Sequence, residues 1–471
     1  MFNIININSK QDIIFKNFFF IFSILPISIL VGPAVSSINI MIISLSFLTY
    51  AFYLKDWKWL KNRNIKLFFI LYFYLIFNSF IAVNFEISVN RNFGFIQYIL
   101  FFAAFNYFFS KYEKFNKIFY VWFVVIFIVV LDVYLETFTG RNMLGYDYWN
   151  ENLHNRIYSF FIDEAKVGGF IGCFFLLLTG YFLDICQLKS KKLKYFIVLV
   201  SIFFLLSIIF TGERSNTIKA LLALLVLFML SRSFSIKEKA MSIVMIILIS
   251  VIIYSSFNFI KYRYGQLIFN NLSSIKEVIK HVKKTDFKPN EKKQVKISKE
   301  EHEIFARSLG SNYFHLYVSG LKVFVKYPIF GAGNKNFRVV TCTNYAIDEN
   351  GIIGYYQLYK YKSKAEKEIY NSEYICSTHP HQIYFEFLAE HGIVGTLILL
   401  FVFFRLIYQA FKKINANANQ NNLQLASLAY IVLFFIPLLP SGSFFNNYGS
   451  VLLWINLSIM MFPSKSNSLI K

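Results

Sequence analysis

Long apolar runs dominate the chain and are separated by short polar breaks. A helix crossing a bilayer needs roughly twenty apolar residues, and about twelve runs of that kind lie near 15–33, 36–54, 67–84, 93–110, 117–137, 167–186, 194–210, 216–231, 240–259, 383–409, 424–440 and 444–462. The pattern predicts an all-α polytopic membrane protein with about twelve transmembrane helices. No small-residue cleavage site follows the first run, so it reads as a retained span and not a signal peptide. One break is long, from Lys261 to about Pro380. The expected organisation is therefore nine spans over 1–260, a large loop domain over 261–381, and three spans over 382–471.

Composition agrees: 56% of residues are hydrophobic and mean hydropathy is +0.49, which excludes an ordinary soluble domain. The formal charge of +22 is informative only through its placement. Lys55, Lys58, Lys61, Arg63 and Lys66 fall between the second and third spans, and Lys111, Lys114 and Lys117 between the fourth and fifth. Lys189, Lys191, Lys192 and Lys194 follow the sixth, Arg232, Lys237 and Lys239 the eighth, and Lys412 and Lys413 the tenth. All lie on one side, together with both termini. The positive-inside rule makes that side cytoplasmic and turns the long insert outward. Lysines in the insert do not oppose this, because long loops translocate largely regardless of charge. No soluble nucleic-acid module is visible, so nucleic acid is not an expected partner.

Three outward segments carry polar chemistry. The first, Phe138 to about Lys166, holds Arg141, Arg156, Asp163, Glu164 and Lys166. The second is the turn Thr211-Gly212-Glu213-Arg214-Ser215-Asn216. The third is the insert. Its first half, Ser273–Glu303, reads as solvated surface. Its second half has Leu316, Val318, Leu321, Val323 and Phe324 at helical spacing, which predicts an interfacial amphipathic helix over His315–Lys326. Tyr327-Pro328 stops it, and Gly331-Ala332-Gly333 allows a tight turn; so short a Gly-x-Gly is weak evidence for phosphate binding. Cys173 and Cys186 read as small buried side chains. Cys342 and Cys376 both fall in the insert, where an oxidising compartment permits pairing. Spacing does not prove that bond, but the insert offers no other candidate.

An enzyme facing the periplasm has no ATP and must use substrates already activated, such as lipid-diphosphate sugars. Guanidinium groups suit a diphosphate because they bind it bidentately and stay charged when partly buried. Arg214, between two spans, fits that role; an interfacial arginine reaching for headgroups is the plainer alternative. His381, in His379-Pro380-His381-Gln382 at the mouth of a span, fits a general base because histidine titrates near neutrality. A structural interfacial histidine is the competing reading. Glu390 lies nine residues further along the helix, two and a half turns away, and reads as a polar packing group.

At these residues the chain resembles the O-antigen ligase and O-antigen polymerase family of bacterial membrane glycosyltransferases. The segment from His379 through Glu390-His391-Gly392-Ile393-Val394-Gly395 is similar to the family's His-Asn/Ser, apolar, Glu-x-Gly-apolar-apolar-Gly pattern. Tyr327-Pro328-Ile329-Phe330-Gly331-Ala332-Gly333 resembles its His/Asn-Pro-apolar-apolar-Gly-x-Gly block, and Thr211–Ser215 its Thr-Gly-Ser-Arg-Gly turn. Phe337-Arg338 and Cys342 follow as in one subset, which Arg156 and Asp163–Gly169 also resemble. The blocks fall in order over about 200–400.

The resemblance implies a C-type glycosyltransferase fold and transfer of a glycan from undecaprenyl diphosphate to an acceptor hydroxyl, on lipid A–core or a growing glycan. It implies no metal and no cofactor. It assigns the catalytic histidine to His381 and a diphosphate-binding arginine to Arg214. Arg338, His315, Arg156, Glu213, Gln382 and His379 are the expected substrate-binding residues. One departure is clear: many members carry a second arginine about where Tyr313 stands here, with His315, Arg307 or Arg338 as substitutes. Gln382 replaces the usual Asn or Ser. A ligase is the favoured activity, a repeat-unit polymerase the alternative, and a lipid-linked glycan transporter the third; charges crowded at one membrane face argue against the last.

Overall fold

A computed structural model describes residues 7–146, 156–161, 164–186, 191–258, 260–261, 264, 312–342, 347–348, 351–352, 376–416, 421–437 and 439–462. Most of the predicted loop domain, including Ser273–Glu303 and Arg307, lies outside the described residues, as do Asp163 and the His315 side chain.

Each predicted apolar run contains a helix, although those of the 67–84 and 424–440 runs end at Phe80 and Phe434 and that of the 444–462 run begins at Asn447. In chain order the helices are α1 (Ile7–Ser23), α2 (Leu25–Val31), α3 (Pro33–Leu54), α4 (Arg63–Phe80), α5 (Phe85–Phe93), α6 (Ile96–Lys111), α7 (Ile118–Thr139) and α8 (Val167–Cys186). There follow α9 (Lys191–Phe210), α10 (Arg214–Leu230), α11 (Ile236–Ser256), α12 (Asn312–Lys326), α13 (Phe337–Thr341), α14 (Ile383–Ala416), α15 (Asn422–Phe434) and α16 (Asn447–Met461). Among the described residues, seven helical stretches are long and apolar enough to cross a membrane. The first predicted span is broken into α1 and α2, with Pro26 in the first turn of α2. A two-residue ladder, Ile347-Asp348 against Gly351-Ile352, is the strand structure of the described insert.

Asparagine, abundant here, starts four of these helices. Asn62, Asn84, Asn421 and Asn446 each accept a backbone N–H of the helix that follows, at 2.9, 3.1, 2.9 and 2.5 Å. Each such cap stabilises its helix by about 1 kcal/mol. Ser235 and Glu238 form a reciprocal capping box on α11. The core is built of aromatic pairs. Buried Trp454 on α16 lies 4.8 Å from Phe68 on α4, 5.6 Å from Phe95 and 5.8 Å from Tyr98 on α6, ring centre to ring centre.

Hydrogen bonds between loops divide as the basic residues do. At one end Val83 donates to the Ala332 carbonyl (2.9 Å), Ile157 to Thr211 (3.2 Å) and Ser441 to His381 (2.8 Å). These are loops expected to face outward. At the other end Asn422 donates to Asp184 (2.7 Å), Arg232 to the Asn415 carbonyl (3.0 Å), and Lys194 pairs with Glu238 (2.6 Å).

The amphipathic helix forms as α12, and its apolar residues divide between a covered face and an exposed one. Leu316, Ser319, Gly320 and Val323 are covered, whereas Leu321 and Val325 are exposed. Small residues win the contact because α12 approaches closely: a side-chain carbon at Gly320 would sit 3.1 Å from Phe385 and 3.2 Å from Pro380. The exposed Leu321, Val325 and Ile329 form an apolar strip suited to a membrane interface.

Candidate functional site at the outward end

The site is built on a break in α14. At Gly392 the backbone turns to φ +60°, which interrupts the helix about two and a half turns below its start. The 328–333 segment fills the gap. Ile393 and Val394 donate to the carbonyls of Pro328 (2.9 Å) and Ile329 (3.1 Å), while Ala332 and Gly333 donate to those of Ala389 (2.9 Å) and Glu390 (3.0 Å). Irregular backbone at membrane depth survives only when the protein satisfies it in this way. Glycine is required on both sides. A side-chain carbon at Gly331 (φ +74°) would lie 2.3 Å from the Glu390 backbone, and one at Gly392 2.4 Å from the Ile329 carbonyl. The two glycine motifs of the sequence are thus halves of one joint, and Gly331-Ala332-Gly333 is a docking turn.

The joint fixes Glu390. Its carboxylate, fully buried, accepts the backbone N–H groups of Lys335 (2.8 Å) and Phe337 (3.3 Å). The expected packing role of Glu390 holds, and its side chain is the anchor of the 334–337 turn. Asn78 on α4 buttresses the same turn, donating to the Phe330 carbonyl (2.9 Å) and accepting from the Asn334 N–H (2.9 Å).

Above the break, His381 occupies a left-handed backbone conformation (φ +59°). This costs a non-glycine residue roughly 1–2 kcal/mol. Its neighbours offset the strain: Ser441 donates to the His381 carbonyl (2.8 Å), and the Gln382 side-chain oxygen caps α14, accepting from Tyr384 (2.7 Å) and Phe385 (3.2 Å). The strained turn sets the imidazole of His381 4.0 Å from that of His379 and 5.6 Å from the Tyr313 ring on α12, centre to centre. Burial lowers the His381 pKa to about 4. That of His379 falls well below 6.5, through burial first and then the nearby His381, Lys335 and Arg338. Both rings are therefore neutral at neutral pH, the form a general base requires.

Arg338, the second residue of α13, lies near His379, and the disulfide Cys342–Cys376 ties the end of α13 to the segment entering His379. The expected pairing is present. Lys335, 9% exposed, donates to Ser443, which donates in turn to Glu386 (2.6 Å). Burial lowers the Lys335 pKa, opposed by the carboxylates of Glu386 and Glu390. Arg91 on α5 donates to Asn447 at the head of α16.

The second predicted element lies across α16. Glu213 is buried and accepts the N–H groups of Gly168 (2.6 Å) and Gly169 (3.3 Å), as well as the Asn216 amide (2.5 Å). A carboxylate at the first turn of α8 is favoured by the helix dipole. Burial nevertheless raises its pKa to about 6, against these bonds and the nearby Arg156. Arg214, half-buried, is the first residue of α10, and Arg156 is exposed. Tyr448 donates to the Lys166 carbonyl (2.8 Å), so Asn447-Tyr448 joins the Glu213 side to the Arg91 side. Among the described residues no direct contact joins Arg214 to His381.

The structure brings the expected residues His379, His381, Gln382 and Arg338 to one end of the bundle. Sequence reasoning did not single out Arg91 and Lys335, which lie at the same end. A signal existed: Arg91 sits in the break between two apolar runs on the outward side, and Lys335 follows the glycine turn. Neither belongs to a motif block.

No curated protein matches the chain. A family model described as O-antigen ligase matches residues 199–400, which contain Arg214, the glycine joint and the histidine pair. With its apolar helices the chain is a multi-pass membrane protein, and over residues 199–400, somewhat less than half its length, it is similar to the O-antigen ligase family.

Proposed function

We propose that the protein is an O-antigen ligase of the bacterial inner membrane. It transfers a glycan from undecaprenyl diphosphate to a hydroxyl of lipid A–core at the periplasmic face. The observation that carries this is the neutral His379–His381 pair, held on a left-handed turn at the mouth of a broken helix inside the matched segment. His381 takes the proton of the acceptor hydroxyl. The acceptor oxygen bonds to the anomeric carbon, and the bond from that carbon to the diphosphate oxygen breaks. Arg214 stabilises the departing undecaprenyl diphosphate, with Arg156 and His315 as further polar contacts. Gln382 and Glu213 hold helix termini around the site, and His379 is auxiliary.

The deciding experiment is transfer in a reconstituted assay. His381→Ala is expected to lower the rate about 10²–10⁴-fold with membrane insertion unchanged; His379→Ala keeps measurable transfer. Wild-type rates in His381→Ala would end the general-base assignment. A lipopolysaccharide gel of a deletion strain separates the activities: free core with accumulated lipid-linked polymer supports a ligase, core bearing a single repeat a polymerase. Labelling of Ser298→Cys by an impermeant reagent, before inner-membrane lysis, tests the outward orientation.

A further inference from the structure

Three cations from separate parts of the chain lie near one another, two of them, Lys335 and Arg338, near His379, and the local carboxylates do not balance them. Lys335 reaches Ser443, Arg91 reaches Asn447, and Arg338 follows Phe337, whose N–H is held by Glu390. The segment 443–447 and Glu390 therefore gather all three. The two buried carboxylates have their oxygens engaged. Glu386 accepts from Ser443 (2.6 Å) and from the Phe444 N–H (2.9 Å), and Glu390 from the N–H groups of Phe337 and Lys335. Among the described residues no carboxylate lies within ion-pair distance of Arg91 or Arg338, and the Arg338 Nε is buried without a hydrogen-bond partner. Three cations against two carboxylates leave one positive charge in a partly desolvated place. Such a charge is costly while unpaired and attractive to an anion. Guanidinium groups offer fixed, directed donors suited to phosphate oxygens.

We propose that Arg91 and Arg338, with the charge of Lys335 behind them, form a second phosphate site adjoining His379, distinct from the contact at Arg214. The inference rests on the glycan-transfer reading for its ligand, a phosphate group of either the donor diphosphate or the acceptor. It places the anion on the same side as the histidine pair, so it positions one substrate against the base.

The test uses the full-length protein in nanodiscs. Arg91→Gln and Arg338→Gln are each expected to weaken phosphate recognition about 10- to 100-fold, the size of a lost hydrogen bond to a charged group. A donor source shows as weaker binding of undecaprenyl diphosphate with the acceptor KM unchanged. An acceptor source shows as a raised KM for phosphorylated acceptor and not for the same acceptor after phosphatase treatment. In the wild type, millimolar pyrophosphate or inorganic phosphate should protect Arg338 from phenylglyoxal, read by peptide mass spectrometry. That measurement stands even if a variant fails to fold. Unprotected Arg338, or folded variants with both affinities within twofold of wild type, overturns the site. Because these are binding readouts, a failed base assignment at His381 leaves them interpretable.

Discussion

The two ends of the helix bundle handle buried charge differently. At the end expected to face the cytoplasm, Asp184 accepts from the N–H groups of Asn422 (2.7 Å) and Leu423 (3.0 Å) and from the Asn422 amide (2.9 Å), and so caps α15. Ser231 and Ser233 complete Asn422 at 2.6 and 3.0 Å. Lys194 pairs with Glu238. Here Asp184, Lys194 and Glu238 all have partners within the protein, and the result is a clasp between α8, α10 and α15. At the end expected to face outward the carboxylates are equally occupied, yet Arg338 keeps an unpaired buried donor and Arg214 makes no ion pair among the described residues. A satisfied network rigidifies; one with a surplus of donors is prepared for a ligand.

If that contrast is right, substitutions at the two ends separate stability from activity. The largest effect after loss of His381 is expected at Arg214. Arg214→Lys keeps the charge but loses the planar fork, and transfer should fall on the order of 10²–10³-fold with the melting temperature unchanged. Retention of full activity by the lysine variant would show that a point charge suffices. Glu390→Ala comes next. It strands the N–H groups of Lys335 and Phe337 and frees the turn that carries Arg338. A stability loss of about 3 kcal/mol, together with at least about tenfold slower transfer, is expected in thermal and kinetic assays. Asp184→Ala should cost a similar amount of stability, about 3 kcal/mol, because it strands the N–H groups at the head of α15. The protein that remains folded should transfer at the wild-type rate. Equal kinetic defects in Asp184→Ala and Glu390→Ala would erase the distinction between the ends.

Much of this was legible in the sequence, for reasons that differ by element. The spans were readable because twenty apolar residues have few other uses, and the placement of Lys and Arg divided the loops as the hydrogen bonds do. His381, Gln382 and Arg338 were readable from local motifs. The interlocking of Gly331 with Gly392 was not, since it depends on two backbone segments about sixty residues apart meeting within van der Waals contact. Which face of α12 is covered was not legible, because close approach to Pro380 and Phe385 places Ser319 and Gly320 in the contact while Leu321 stays exposed. Arg91 stayed hidden for a similar reason: it belongs to no motif block, and only the fold sets it near Arg338.

The smallest expected effect is the pH profile, and it tests the outward end alone. In the folded protein burial holds His381 at about 4, below the ordinary histidine value of 6.5. The neutral, base-competent ring is therefore already the main form at pH 7 and remains so well below it. Acidification from pH 7 to about 5 should change kcat/KM little, and activity should fall only as the pH passes through about 4. A histidine of ordinary pKa would instead lose activity on passing 6.5. Glu213, held up at about 6, titrates inside the same window; Glu213→Gln, which keeps an acceptor for Gly168, should leave the profile in place if His381 governs it. A break near 6 that disappears in Glu213→Gln would assign the titration to the α8–α10 junction and remove the kinetic support for a buried, neutral base.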